Sequence, residues 1–292
     1  MSALAILLVL LSALFHALRS LFTKESGDKQ VFLWLYSLVA LLFFLPLFTY
    51  FLLRVGITHP AAYAWCAGSG FIHFLYWLFL TQAYKQGDLS HVYPIMRSSP
   101  ALVLLVAVLF LGEQVSVQGA AGILLVAGGV YIINMKHISG AELLAPVKAI
   151  VNDRATRFAF LTLISVAGYS IVDKMAVDYI HPILFAFFHL FCGMCYYTPY
   201  IALTKRTDMI RSEWQQGRGR IIMAGVIGIT GYSMILIAFT IERVSYIVAL
   251  RQLSVVFAVL MGSFWLKEKH AGIRLSGAVI IFSGCFLISM AT

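Results

Sequence analysis

Apolar residues in this chain neither alternate nor recur on one helical stripe. They run on for about 20 residues, stop at a short polar segment, and run on again. A run of about 20 residues is what a helix needs to cross a bilayer core about 30 Å thick. The polar breaks divide the sequence into ten expected helices, near 2–22, 31–53, 64–84, 91–111, 117–135, 158–177, 182–203, 221–239, 245–266 and 272–290. Two connections are longer, 136–157 and 204–220, and both are polar and basic. The remaining connections are short, so successive helices are expected to be neighbours. The pattern predicts an all-α integral membrane protein of ten transmembrane helices.

The helices fall into two sets. A shift of 155 lays residues 70–135 on 225–290 without a gap and matches Gly70 with Gly225, Ser90 with Ser245, Ser99 with Ser254, Glu113 with Glu268, Gly122 with Gly277 and Gly129 with Gly284. The first helices match at a shift of 150, through Ala17 and Ala167, Ser20 and Ser170, Lys24 and Lys174. The expected units are a five-helix repeat over 1–136, a cytoplasmic linker over 137–156 and a second five-helix repeat over 157–292. Five is odd, so the second repeat enters the membrane upside down, and inverted repeats place a solute site near the midplane between them.

Composition agrees with the pattern. Of 292 residues, 61% are hydrophobic and 11% charged, and the mean hydropathy is +0.92. Those values exclude a soluble enzyme, a disordered chain and a nucleic-acid-binding domain. The net charge of +9 instead reports topology. Of the 21 Lys and Arg, Arg19, Arg97 and Arg251 fall within spans, while Arg54, Lys174 and Arg243 fall on one side. The others gather on the opposite side, which the positive-inside bias makes cytoplasmic. Both termini are expected outside a cytoplasmic (inner) membrane, and the first span is expected to be retained rather than cleaved as a signal peptide.

Ten spans in two halves, with Leu111-Gly112-Glu113 and Leu266-Lys267-Glu268 closing the fourth and ninth, resemble the drug/metabolite transporter superfamily in its EamA-like branch. The stretch from Tyr93-Pro94 to Pro100 is similar to that family's fourth helix. The resemblance implies a cofactor-free ten-helix transporter that moves small metabolites by alternating access. It leaves the substrate open among amino acids, sugars, nucleotide sugars, phosphorylated metabolites and drugs.

Catalytic or metal-binding constellations are not evident. The eight histidines are scattered, the Cys192-x-x-Cys195 pair sits among apolar neighbours, and no paired carboxylates accompany them. Glu113 and Glu268 read as carboxylates holding turns at the membrane surface, with proton coupling as the alternative. Gly225, Gly228 and Gly231 recur every third residue and suit close helix contact. Ionisable groups at depth carry more information, because each costs at least about 2.5–3.5 kcal/mol unless paired or hydrated. Arg97, with Ser98, lies between Pro94 and Pro100, which disturb the helix and free carbonyls that only a protein-lined cavity tolerates.

Further candidates share helix faces with such a cavity. His16 and Arg19 lie on a polar stripe of the first helix, although Arg19 could equally snorkel to the surface. His73, Tyr76 and Trp77 share a face of the third helix. Tyr169, Tyr232, Arg251 and Gln252 complete a wall expected from helices 1, 3, 4, 6, 8 and 9. Its one candidate acid is Asp173, expected to be engaged by Lys174 or Arg251. Arginine-rich and acid-poor, this set suits an anionic or zwitterionic solute such as an organic phosphate or phosphonate, a carboxylate or an amino acid. The alternatives are an exporter or flippase of amphipathic drugs or lipids and, further off, a lipid-modifying enzyme. Expected partners are a small-molecule substrate and membrane lipids, with no nucleic acid, in a monomer or homodimer.

Overall fold

The computed structural model describes residues 1–86, 95–133, 153–257 and 271–291. Its helices, in chain order, are α1 (Ala3–Glu25), α2 (Lys29–Arg54), α3 (Ala61–Gln86), α4 (Ser99–Leu111), α5 (Val117–Ile133), α6 (Arg154–Ala176), α7 (Pro182–Thr204), α8 (Thr207–Ile241), α9 (Val244–Leu250) and α10 (Ala271–Ser289). Six are long and apolar enough to cross a membrane: α1, α2, α3, α6, α7 and α8. The shorter apolar segments Ile95–Leu111, Val117–Ile133, Val244–Phe257 and Leu275–Ser289 complete a two-repeat, all-helical bundle. Local chemistry sets the starts. Ser2 caps α1 through Ala5 N–H, Asp28 caps α2 through the N–H groups of Gln30 and Val31, and Asp153 caps α6 through Thr156 N–H.

Large apolar side chains crowd the outer surface of the peripheral helices, and on α1 the inward positions are small. On α1, Ala5, Val9, Ala13 and Ala17 are buried while Leu4, Leu7, Leu11 and Leu14 are exposed. On α10, Ala278, Ile281, Cys285 and Ile288 are buried while Leu275, Val279, Phe282 and Phe286 are exposed. Lipid is as apolar as leucine, so the helices associate through close packing rather than by escaping water.

Two expectations need correction. Residues 204–220 are not a polar connection, because α8 is already helical from Thr207. At 1.5 Å per residue its 35 residues extend about 50 Å, well beyond the hydrocarbon core. The extension is held by Glu213, whose Oε2 accepts from Asp28 N–H at 2.9 Å, and by an ion pair between Arg220 and Glu25 at 3.1 Å. Lys205 pairs with Asp28 beside them. Burial alone would push the Asp28 carboxyl up. The Lys205 ammonium and the two N–H groups outweigh it and hold the carboxyl below its ordinary value. The expected linker over 137–156 lies mostly outside the described residues, and α6 begins within it at Arg154.

Nor are successive helices the main neighbours. The most extensive contacts are α5 with α10, α3 with α6, α1 with α8, α2 with α8, α3 with α7, and α2 with α7. Exchanging the halves maps this set onto itself: α3–α6 becomes α8–α1, and α2–α8 becomes α7–α3. The glycines give the axis its direction. A Cβ on Gly122 would meet Gly284 O at 2.8 Å, and one on Gly129 would meet Gly277 O at 2.9 Å. Each glycine therefore touches the counterpart of the other, as antiparallel helices related by a two-fold axis must. Likewise Gly70 lies against His189 O and Gly193 N of α7, while Gly225 lies against Tyr36 O and Ala40 N of α2. Those pairs are equivalent at a shift of 153, which also superposes the helix-interior prolines Pro46 and Pro199.

Both termini lie on one face of the bundle. The Met1 ammonium reaches Ala291 O at 3.4 Å, and Ser2 N–H donates to Glu242 Oε1 at 2.6 Å. On the same face Gly112, at φ +64°, ends α4 in the left-handed conformation that favours glycine. Glu113 can then turn across to α9, where it accepts from Val244 N–H at 2.6 Å and Ser245 Oγ–H at 2.6 Å. Its expected partner in symmetry, Glu268, lies outside the described residues.

The glycine contacts are directly testable. Gly284→Ala puts a methyl 2.6 Å from Gly122 O and should cost about 1–3 kcal/mol, as overpacking does. The thermal midpoint in detergent should fall. Gly128→Ala, with nothing within 4 Å of the new methyl, should not lower it.

Candidate functional site

A cavity of about 610 Å³ occupies the centre of the bundle. It is built where backbone regularity fails. Helix precedes Ser98 over Ile95–Arg97 and resumes at Ser99, with Pro100 in the first turn of α4. At the equivalent place in the second half, α9 ends at Leu250 and helix resumes after a turn at Arg251–Gln252. Bonds from Gln252 N–H to Ala249 O and from Ser254 N–H to Arg251 O tighten that turn. Broken backbone at membrane depth is tolerated where it is buried in protein or lines a cavity, and both breaks deliver an arginine to this one.

Of the residues predicted for the site, Arg97, His16, Arg19, His73, Tyr76, Trp77, Tyr169, Tyr232, Arg251 and Gln252 all line the cavity. Ser98 does not. At the helix break the lining passes from Arg97 to Ser99, whose Oγ accepts from Gln252 Nε2 at 3.4 Å. Arg19 does not snorkel outward. Its guanidinium lies over the Tyr36 ring at 5.7 Å, with its stem beside Gly228. Arg251 lies over the Tyr232 ring at 5.5 Å.

The sequence reading missed the walls from α2 and α7. Lys29, Tyr36 and Ser37 come from α2, and Ala186, His189 and Leu190 from α7. A signal was present, because the shift of 153 that pairs Pro46 with Pro199 also pairs Tyr36 with His189. Continuing the repeat into α2 and α7 would have found them. By contrast α5 and α10 do not reach the cavity. They form a pillar behind α4 and α9.

The cavity lining combines two kinds of side chain. One is cationic, with Arg19, Arg97, Arg251 and Lys29, and the described lining residues include no Asp or Glu. The other is a ring cluster in which His73 stacks on Tyr169 at 4.1 Å and lies 5.0 Å from His189. Two buried polar atoms at the cavity wall, Ser37 Oγ and Gln252 Oε1, have no hydrogen-bond partner among the described residues. The lining runs from mid-bundle to Thr23, Lys29 and Tyr84, away from the face that holds the termini.

Behind the cavity, toward the terminal face, sits Asp173, fully buried. Neither of the expected cations holds it. Lys174 donates instead to the carbonyls of Phe239 and Glu242, and the carboxylate accepts from Ser69 Oγ–H at 2.5 Å and from the Tyr232 hydroxyl. Two neutral donors on neighbouring helices replace the ion pair because α3 and α8 bring them closer than either cation. Among the described residues, no three His, Cys, Asp or Glu gather as metal ligands. Cys192 and Cys195 are free thiols, the first half-buried and the second exposed.

The EamA-like transporter family model matches residues 3–135 and again 155–290. A solved crystal structure superposes with a TM-score of 0.72 at 17% identity, covering 98% of this chain and 97% of that one, a likeness of fold. No curated protein matches significantly.

If the cavity holds water, one helix should carry both labelled and protected faces. With the four native cysteines replaced, Val166→Cys and Ser170→Cys on the cavity side of α6 should react with a charged thiol reagent in membranes. Leu161→Cys and Ile164→Cys on its exposed side should be at least tenfold slower. Equal rates on both faces would mean that no aqueous cavity exists.

Proposed function

The chain belongs to the EamA-like transporter family, and from that premise we propose that it carries small organic anions or zwitterions by alternating access. It is a multi-pass membrane transporter of small molecules rather than an enzyme. The observation that carries the substrate reading is the placement of Arg19 and Arg251. Each guanidinium rests on a tyrosine ring, and neither reaches a carboxylate among the described residues. Cations held at depth in that way are stabilised by an incoming anion. A guanidinium offers carboxylate, phosphonate or phosphate a planar fork. The neighbouring rings suit an apolar or flat portion of the same solute.

Inverted halves packed across one axis support the alternating-access reading. Glu113 and Glu242 bind helix ends together on the terminal face, and the cavity lining extends to the opposite one. Rocking one half against the other would release the first face and close the second. We propose the cytoplasmic (inner) membrane with both termini outside, because described basic residues at helix ends, Arg154, Arg157, Lys205 and Arg206 among them, gather on the face opposite the termini. A cysteine at Gln215 should then label only from the cytoplasm, and one appended after Thr292 only from outside. The reverse pattern would overturn this orientation.

Flux into proteoliposomes, screened over carboxylates, amino acids and organic phosphates, tests the substrate reading. Arg19→Ala and Arg97→Ala should each weaken anion affinity at least tenfold, since a hydrogen bond to a charged group is worth about 1.5–3 kcal/mol. Arg→Lys at either position should restore little, because an ammonium lacks the fork. Unchanged affinity in both alanine variants, or flux of cations alone, would sink the anion reading.

A further inference from the structure

The contacts of Asp173 extend into a chain whose donors and acceptors do not balance. His73 Nδ1 faces the carbonyl oxygen of Ser69 at 3.0 Å. A carbonyl can only accept, and Ser69 Oγ, 3.3 Å from the same nitrogen, gives its proton to Asp173 Oδ1, so Nδ1 carries a proton and in the neutral ring Nε2 is a bare acceptor. Nε2 faces the Tyr232 hydroxyl at 3.3 Å. The same hydroxyl faces Asp173 Oδ2, and Ser69 Oγ–H already occupies Asp173 Oδ1. With Asp173 ionised and His73 neutral, two acceptors compete for one hydroxyl proton and one contact sets lone pair against lone pair. Such a mismatch is costly in a site this deeply buried.

One added proton resolves it in either of two ways. On Asp173, the carboxyl donates to the tyrosine oxygen and the tyrosine donates to His73 Nε2, leaving all three groups neutral. On His73, the imidazolium Nε2–H donates to the tyrosine oxygen and the tyrosine donates to the carboxylate. The two forms hold the same number of protons. They interconvert when the carboxyl proton moves to the tyrosine oxygen as the tyrosine proton moves to Nε2. We propose that Asp173, Tyr232 and His73 form the binding site for one exchangeable proton, which this carrier moves together with its anion.

The surroundings fit that role. Tyr232 and His73 line the cavity, whereas Asp173 and Ser69 lie behind them, toward the terminal face. The chain thus joins the cavity wall to the closed side and draws on α3, α6 and α8. Around it are Cys66 of α3, Tyr169 of α6, His189 of α7 and Arg251 after α9, with Arg19 and His16 of α1 and Arg97 elsewhere in the cavity wall. His189 Nδ1 is engaged by Phe185 O at 2.9 Å, and Lys174 is engaged by Phe239 and Glu242. Arg251, over the Tyr232 ring, is the cation that links proton to solute. An anion paired with Arg251 offsets the charge that opposes the added proton, so anion and proton promote each other's binding.

The joint movement rests on the anion reading, whereas the proton site does not, and two measurements separate them. The first uses the purified protein in nanodiscs with no solute. At neutral pH, infrared spectra should show a protonated-carboxyl band that Asp173→Asn removes, or 15N spectra should show an imidazolium that His73→Gln removes. A neutral His73 alongside an ionised Asp173 throughout the working pH range would overturn the site. The second adds a pool of carboxylates and organic phosphates to proteoliposomes loaded with a pH dye. The wild type should acidify the lumen at a fixed ratio of protons to anion, and Asp173→Asn and Tyr232→Phe should lower that ratio at least tenfold. An unchanged ratio in both variants would overturn the coupling. Absence of any anion flux in the wild type would overturn the anion reading and the joint movement with it, while the spectra still decide the proton site.

Discussion

Close backbone contact between the two halves underlies this bundle. In lipid, helices gain little from burying one another's large side chains, so association depends on how nearly backbones approach. Gly122 meets Gly284 and Gly129 meets Gly277 with room for no Cβ between them, and Gly70 and Gly225 repeat the arrangement at the symmetry-related crossings. The halves consequently interlock instead of packing each within itself. Helices joined by a short turn, such as α1 and α2, are poor neighbours, whereas α1 and α8, far apart in sequence, are close ones.

That interlocking explains where irregular structure is possible. The α5–α10 pillar carries the dimer-like contact and stays out of the cavity, leaving α4 and α9 free to break in front of it. The breaks fall at matched positions, yet only the first has a proline beside it, Pro100. The second therefore rests on its tertiary surroundings.

A nearly symmetric frame then carries an asymmetric lining. At matched positions Arg19 stands against Tyr169, Tyr36 against His189, His73 against Gly228, Trp77 against Tyr232 and Arg97 against Gln252. The frame supplies a mechanism for exposing the site to either face. The mismatched side chains supply its chemistry, with three of the four cations from the first half and much of the ring cluster from the second. Asp173 belongs to neither the cationic set nor the ring cluster of the lining. It connects the ring cluster to the terminal face through Tyr232 and His73.

By itself the sequence determined whatever depends on local composition or on period. Unbroken apolar runs specified membrane helices, the 155-residue repeat and the odd helix count specified inversion, and Arg97 between prolines marked a cavity wall. Ten of eleven anticipated side chains line that cavity because polar groups inside spans have few other places to go. Three things were left to tertiary structure. Arg19 turns inward because Tyr36 offers a ring and Gly228 leaves room for its stem, and neither neighbour is near in sequence. Asp173 bonds Ser69 and Tyr232 because α3 and α8 converge on α6, whereas reading along the chain suggested adjacent Lys174. The polar stretch after Thr204 becomes helix because Glu213 and Arg220 find Asp28 and Glu25 across the bundle. Each choice depends on which distant surface lies opposite, and hydrophobic patterning along one chain does not record that.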